Sequence, residues 1–281
     1  MIYLSQFHFP SALAEDLALG DTFDTEYYPF RILSKREFYD ISFAPITFLY
    51  GGNGSGKTTA LNVIAETLNL SRSTPYNRSD FFGRYTNLCH YSTENKIPAS
   101  SLVITSDDIF DYMLNLRVMN QAVDDTREDI AKEYLSLKHS KIRLRSMADY
   151  EEFSRYYEAK KSSQRTYIDR RLMDNIRTQS NGESALYYFS NKIQENALYL
   201  LDEPENSLSP EKQIKLVRFL EDSIRFFNCQ FVIATHSPFL LSMKDAKIYD
   251  LDSTPVVPRQ WTELPNVRTY FNFFREHASE F

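Results

Sequence analysis

Four of the chain's seven glycines lie within one short stretch, which begins at Gly51. An apolar, β-prone run at 46–50 precedes the stretch, and a helix-like run at 59–68 follows it. A strand, a glycine-rich loop and a helix in this order predict a phosphate-binding loop, because backbone N–H groups wrap a phosphate closely only where side chains do not obstruct them. The phosphate-contacting residues are predicted to be Gly51, Gly52, Asn53, Gly54, Ser55, Gly56, Lys57, Thr58 and Thr59.

The two residues after the last glycine of the loop have distinct predicted roles. The helix that begins there presents unpaired N–H groups and its positive dipole end to an anion. Lys57 is expected to reach the β- and γ-phosphates of a nucleotide, and the Thr58 hydroxyl is expected to ligate Mg²⁺. The sequence therefore predicts a nucleotide phosphate site.

Two carboxylates follow another apolar run. Residues 197–201 form a continuous apolar segment, which is typical of a buried parallel strand, and the segment ends in Asp202 and Glu203. Asp202 is predicted to hold the Mg²⁺ shell, and Glu203 is predicted to orient or deprotonate an attacking water, since phosphoryl transfer requires mainly positioning and charge stabilisation. This pair predicts hydrolysis in addition to binding.

A histidine follows a third apolar run. Residues 230–234 lead into Thr235 and His236, so His236 is expected just past a strand end. A neutral imidazole at that position can hydrogen-bond to the γ-phosphate or to the attacking water. His236 is therefore a candidate catalytic residue.

One further segment carries a family resemblance. It reads Ser180, Asn181, Gly182, Glu183 and Ser184, and it stands before a helix-like run and upstream of the Asp-Glu strand. Here the chain resembles the ATP-binding cassette ATPases, whose Ser-x-Gly-Gln/Glu signature contacts the γ-phosphate of nucleotide held by another protomer. The resemblance implies ATP and Mg²⁺ as cofactors, with Ser180, Gly182 and Glu183 acting in trans, Glu203 as catalytic carboxylate and His236 as switch histidine.

The order of all the motifs is similar to that of small, stand-alone bacterial ABC-type ATPases, whose heads resemble those of SMC-type proteins. The similarity spans nearly the whole chain. It implies an α/β P-loop NTPase of ABC-ATPase type, with a mixed sheet, flanking helices and an inserted helical lid. It also implies a head-to-tail homodimer that sandwiches ATP. The segments that carry it are 28–30, 48–57, 180–184, 198–205, 234–238 and 267–274.

The chain departs from the transporter pattern at two positions. Ser209 stands where transporter cassettes place an aspartate, and Asp107 follows a strand where transporters have a glutamine. By its resemblance to the small ATPases, Asp107 is expected to help hold metal-bound water. No aromatic residue is marked as an adenine-stacking group; Tyr27, Tyr28 and Phe30 are candidates, with core packing as their alternative use.

Length and pattern favour one α/β domain over all 281 residues, with a loop-rich segment at about 71–101 and a helical insertion at about 109–178. Basic residues in the insertion suggest nucleic-acid contact. Interspersed acidic residues and a net charge of -6 leave a solvated helix face as the alternative.

Composition also bears on location. No apolar run approaches the roughly 18–20 residues of a membrane span, and the first residues lack the basic flank of a signal peptide. We therefore expect a cytoplasmic protein without membrane insertion. Cys89 and Cys229 lie far apart without metal-like spacing, so both are expected to be reduced, buried thiols.

The sequence favours an ATPase that forms an ATP-dependent homodimer as a conformational switch. Two alternatives stay open: a regulatory or defence-complex subunit that gates a partner effector, and the nucleotide-binding subunit of a membrane transporter. Nucleic acid and a protein effector are the further partners under consideration.

Overall fold

The structure is a computed structural model that describes residues 1–20, 27–140, 150–171, 181–206 and 208–280. The contacts between residues divide the chain into two compact units. Unit 1 comprises residues 1–110 with 181–281, and unit 2 comprises residues 111–180.

A seven-stranded sheet forms the centre of unit 1, in the order β10-β9-β3-β8-β7-β6-β4. All neighbours pair in parallel except β10, which is antiparallel to β9. The apolar runs predicted as strands form three adjacent central strands, because side chains there are buried on both faces. The strands are β3 (Ile46–Tyr50), β4 (Ser71–Arg72), β6 (Leu102–Thr105), β7 (Leu198–Asp202), β8 (Gln230–Thr235), β9 (Lys247–Asp250) and β10 (Val257–Pro258).

A smaller antiparallel sheet, in the order β2-β1-β5, belongs to the same unit. It consists of β1 (Leu4–His8), β2 (Asp40–Ser42) and β5 (His90–Thr93). Gln230 joins the two sheets: its Oε1 accepts hydrogen bonds from the backbone N–H groups of Tyr3 and Leu4 at 2.7 and 2.9 Å, and its Nε2 donates to the Leu4 carbonyl at 2.8 Å. Nε2 also donates to the Ala44 carbonyl at 3.2 Å, so both ends of the buried amide are paired, as is usual for polar groups in a core.

Seven helices of the described chain lie within unit 1. The helix after the phosphate-binding loop buries Ala60, Leu61, Val63 and Ile64, and their cluster includes Phe7 and Phe38 from the N-terminal region. The helices are α1 (Ala12–Leu19), α2 (Lys57–Thr67), α3 (Phe82–Thr86), α7 (Asn181–Lys192), α8 (Pro210–Phe227), α9 (Pro238–Leu241) and α10 (Pro265–Glu276).

The helix α4 (Ser106–His139) starts in unit 1 and continues into unit 2. A capping box starts it, because Asp108 Oδ2 accepts from the Thr105 backbone N–H at 2.7 Å while the Asp108 N–H donates to Thr105 Oγ1 at 3.3 Å. At about 1.5 Å per residue the helix extends about 50 Å.

Unit 2 is helical in its described part. Besides α4 it contains α5 (Tyr150–Lys161) and α6 (Gln164–Asp169). Its small core packs Tyr134 and Leu137 of α4 against Ala159 of α5 and Tyr167 of α6.

The segment at 71–101 contains the short elements β4, α3 and β5. Cys89 and Cys229 are free, buried thiols, as predicted; burial raises the pKa of Cys89 to about 12 and that of Cys229 to about 11. Among the described helices, none combines the length and the apolar character needed to cross a membrane.

Candidate functional site

The phosphate-binding loop connects β3 to α2, and its last glycine is sterically required. Gly56 has φ +98°, a left-handed conformation that side chains disfavour. A Cβ atom at Gly56 would also lie 3.2 Å from Ile32 Cγ2 and 3.2 Å from Leu33 Cδ2. The segment around Ile32 therefore packs directly against the loop, and the turn into α2 depends on glycine.

Lys57 lies buried across the mouth of this loop. Its Nζ donates to the carbonyl oxygens of Gly51 at 2.8 Å and Gly52 at 3.0 Å, and it lies 3.6 Å from Glu203 Oε1. The ammonium group therefore stands between the loop and the carboxylate predicted to be catalytic. A cavity of about 430 Å³ opens here, lined by Ile32, Asn53, Gly54, Ser55, Gly56, Lys57, Thr58, Thr59 and Glu203.

Asp202, at the end of β7, forms the metal-binding candidate with Thr58. Burial raises the pKa of Asp202 to about 6, against a lowering by the hydrogen bond with Thr58. Its Oδ1 is buried and has no hydrogen-bond partner among the described residues. A hydroxyl beside a carboxylate with a free buried oxygen is a donor set that fits Mg²⁺, which prefers oxygen ligands.

Asp107 lines a second cavity, of about 330 Å³, together with Thr58 and Asp202. The structure thus brings the exposed Asp107 to the metal-binding candidate. Arg72, which sequence analysis missed, lines the same cavity: it donates to Asn62 Oδ1 at 2.9 Å and stands 4.2 Å above the ring centre of Tyr76. An isolated arginine two residues into a polar segment gave no sequence signal.

Glu203 occupies a strained backbone position at the same edge. Its φ is +47°, a region that residues other than glycine rarely adopt. Its N–H donates to the Ala234 carbonyl at 2.9 Å, and its Oε2 accepts from Asn206 Nδ2 at 3.0 Å. Neighbouring parallel strands therefore place Glu203 beside the loop that holds Lys57.

His236 follows β8, and its side chain is about half exposed. Its Nδ1 lies 3.8 Å from Glu203 Oε1 and 3.6 Å from Glu205 Oε1. The carbonyl of His236 accepts from Asn266 Nδ2 at 2.9 Å, and the Asn266 N–H donates to the hydroxyl of Tyr50, the last residue of β3, at 3.2 Å. Asn266, at the start of α10, therefore links the ends of β3 and β8. Sequence analysis missed this role too.

The signature residues are not part of this assembly within the described chain. Ser180 lies outside the described residues, and Gly182 lies in the first turn of α7. Glu183 is exposed, and its Oε1 accepts from Lys212 Nζ of α8 at 3.1 Å. Ser209 immediately precedes α8.

The aromatic candidates for adenine stacking pack against other rings. Phe30 meets Tyr85 edge-on with ring centres 5.0 Å apart, and Tyr28 packs on Phe82 at 5.8 Å. Tyr27 meets Phe81 at 5.8 Å. Tyr28 also lines the cavity beside Asp202.

Residues 181–241 match the family model described as an AAA ATPase domain. The matched residues include the Asp202–Glu203 pair and His236, and the match confirms the predicted resemblance to P-loop ATPases. The fold prediction is also confirmed: unit 1 is a mixed α/β structure dominated by parallel strands, with a P-loop between a strand and a helix. No curated protein sequence matched the chain.

The chain is also similar to solved ATPase structures. These include the Smc head domain from Pyrococcus furiosus, with an extended coiled coil and bound to the C-terminal domain of ScpA (TM-score 0.48, 12% identity, covering 99% of this chain and 100% of that chain). A nucleotide-free ATP-binding cassette from an ABC transporter has a TM-score of 0.43 and 14% identity, and the match covers 97% of this chain and 96% of that chain. The SMC head domain from Thermotoga maritima has a TM-score of 0.40 and 14% identity, and the match covers 92% of this chain and 99% of that chain.

Proposed function

We propose that this chain binds ATP with Mg²⁺ and hydrolyses it, and that ATP switches it between monomer and head-to-tail dimer. One observation carries the proposal. The carboxyl ends of the neighbouring parallel strands β3, β8 and β7 bring five side chains together, namely Lys57, Thr58, Asp202, Glu203 and His236. Ligands of open α/β sheets bind at this edge. The family match over the strands that hold Asp202 and His236 supports an ATPase.

Each side chain has a defined task in this proposal. The N–H groups at the start of α2 and the ammonium of Lys57 hold the β- and γ-phosphates. Thr58 and Asp202 would hold Mg²⁺, and Asp107 would help to hold metal-bound water; the ion would neutralise charge on the phosphates. Glu203 accepts the proton of the attacking water. His236 hydrogen-bonds to the γ-phosphate or to that water.

The dimer part of the proposal rests on the resemblance of Ser180, Gly182 and Glu183 to the ABC signature. A signature that contacts the γ-phosphate of the facing protomer stabilises the dimer only while that phosphate is present. Hydrolysis removes the contact that distinguishes the two states, so the dimer opens.

The isosteric variant Glu203→Gln tests both parts. Removal of the proton acceptor is expected to lower kcat by about 10²–10⁴-fold while ATP still binds. In light scattering after size exclusion, this variant with ATP and Mg²⁺ is expected to show about twice the monomer mass of 32.9 kDa. The matched control is Glu211→Gln, on the exposed first turn of α8, which should behave like the wild type.

Two results would contradict the proposal separately. Full hydrolysis by Glu203→Gln would exclude Glu203 as the proton acceptor. A monomer under all conditions, together with normal ATP binding, would exclude a dimer that forms without a further partner.

A further inference from the structure

A second carboxylate lies under the strand end that carries His236. Glu205 is almost completely buried. Its Oε1 accepts from the His236 backbone N–H at 3.1 Å and from the Thr235 hydroxyl. A single carboxylate oxygen thus fixes two consecutive residues where β8 ends.

The imidazole of His236 stands between two carboxylates. Its Nδ1 lies 3.6 Å from Glu205 Oε1 and 3.8 Å from Glu203 Oε1, and both distances exceed a hydrogen bond. Of these two carboxylates, Glu203 lines the cavity that Lys57 also lines, and Glu205 does not. A small movement of the ring therefore pairs Nδ1 either with the carboxylate that faces the phosphates or with the buried one.

The side chain of Glu205 makes few hydrogen bonds that could stabilise the fold. Among the described residues, its side-chain hydrogen bonds go only to Thr235 and His236. Its Oε2 is buried without any partner there. An unpaired buried polar atom destabilises the fold, so fold stability alone does not account for a carboxylate at this position.

We infer that Glu205 is a positioning residue for His236 during ATP hydrolysis, an inference that rests on the proposed function. Its carboxylate fixes the backbone at residues 235 and 236 and receives the Nδ1–H of the imidazole. That hydrogen bond selects the tautomer in which the unprotonated Nε2 accepts a hydrogen bond from the attacking water. Glu205 itself does not touch the nucleotide.

The test compares Glu205→Ala, His236→Ala and the double variant in steady-state ATP hydrolysis. Because a misplaced catalytic group costs up to about 10²-fold, kcat of Glu205→Ala should fall by about that factor, with a KM for ATP close to that of the wild type. The double variant should be no slower than His236→Ala, since Glu205 acts only through the imidazole.

A second variant and a control complete the test. Glu205→Gln keeps the side-chain volume and one acceptor oxygen, so it should fold and retain more kcat than Glu205→Ala. Glu211→Ala, at an exposed position of α8, should hydrolyse ATP like the wild type.

Failure of the positioning role can be distinguished from failure of the proposed function. An unchanged kcat in both Glu205 variants, or single effects that multiply in the double variant, would overturn the positioning role while the proposed function stands. Absence of ATP hydrolysis by the wild type would overturn both.

Discussion

Charged side chains differ between the two units in burial and in pairing. At the carboxyl edge of the sheet in unit 1, acidic groups are buried close together: Asp202 and Glu205 each keep a buried oxygen without a partner among the described residues. In unit 2, charged groups lie at the surface and pair with each other. Examples are Arg155 with Glu133 at 3.3 Å and Arg165 with Asp169 at 3.7 Å.

The buried carboxylates of unit 1 are suited to binding and chemistry, whereas the exposed charges of unit 2 keep its surface solvated. Buried carboxylates without partners cost stability, and a protein keeps them where a cation or a reacting group is to be bound. Exposed ion pairs contribute little either way. The basic run that suggested nucleic-acid contact is partly engaged within unit 2: Arg155 and Arg171 pair with Glu133 and Glu158, and Lys138 Nζ donates to the Ala159 carbonyl at 3.1 Å. Nucleic-acid contact by this run stays a prediction, with a solvated helix face as its alternative.

The largest effect is expected from Gly56→Ala, which strains the phosphate-binding loop. The φ of +98° and the close approach of Ile32 and Leu33 should cost about 1–3 kcal/mol and abolish ATP binding. Urea unfolding and nucleotide titration measure both. The control is Gly83→Ala in α3, where a Cβ meets nothing within 4 Å and a gain of about 0.5–1 kcal/mol is expected. Equal behaviour of the two variants would refute the steric argument.

A stability gain with loss of activity is expected for Asp202→Asn. Burial raises the pKa of Asp202 to about 6, so at pH 7 the folded protein without Mg²⁺ holds a disfavoured carboxylate. The amide should increase the free energy of unfolding by about 1–3 kcal/mol. Protonation of Asp202 relieves the cost, so the gain should shrink as the pH falls through about 6 and vanish near 3.8.

Urea unfolding across this pH range, with Mg²⁺-dependent ATP hydrolysis measured in parallel, checks the prediction. The control is Asp222→Asn, on the exposed face of α8, whose stability should follow that of the wild type. An Asp202→Asn variant that is less stable than the wild type at pH 7 would show that Asp202 is stabilising without a bound cation.

The smallest effect is expected in unit 2. Arg155→Ala removes a half-exposed partner of Glu133, so the free energy of unfolding should change by less than about 1 kcal/mol, and ATP hydrolysis should not change. A cycle with Glu133→Ala and the double variant isolates the pair. A coupling energy of several kcal/mol would remove the distinction between the two units.

The central strands and the P-loop could be predicted because their signals are local. The run at 46–50 forms β3 with the predicted bounds, since a strand buried on both faces must be apolar throughout. Residues that act through distant pairing gave no such signal. Asn266 reaches Tyr50 and His236 only after α10 has docked, and the role of Glu205 appears only when β7 and β8 lie side by side. The trans action of Ser180, Gly182 and Glu183 stays a prediction.

The position of β3 within the sheet has a consequence for how the protein is made. Both strands that flank it, β8 at 230–235 and β9 at 247–250, are synthesised after all of unit 2. At about 5–20 residues per second, β3 waits on the order of 10–40 s for its neighbours. During translation, the strand that leads into the phosphate-binding loop is thus an unpaired apolar segment, and the nucleotide site cannot form until the last third of the chain has left the ribosome.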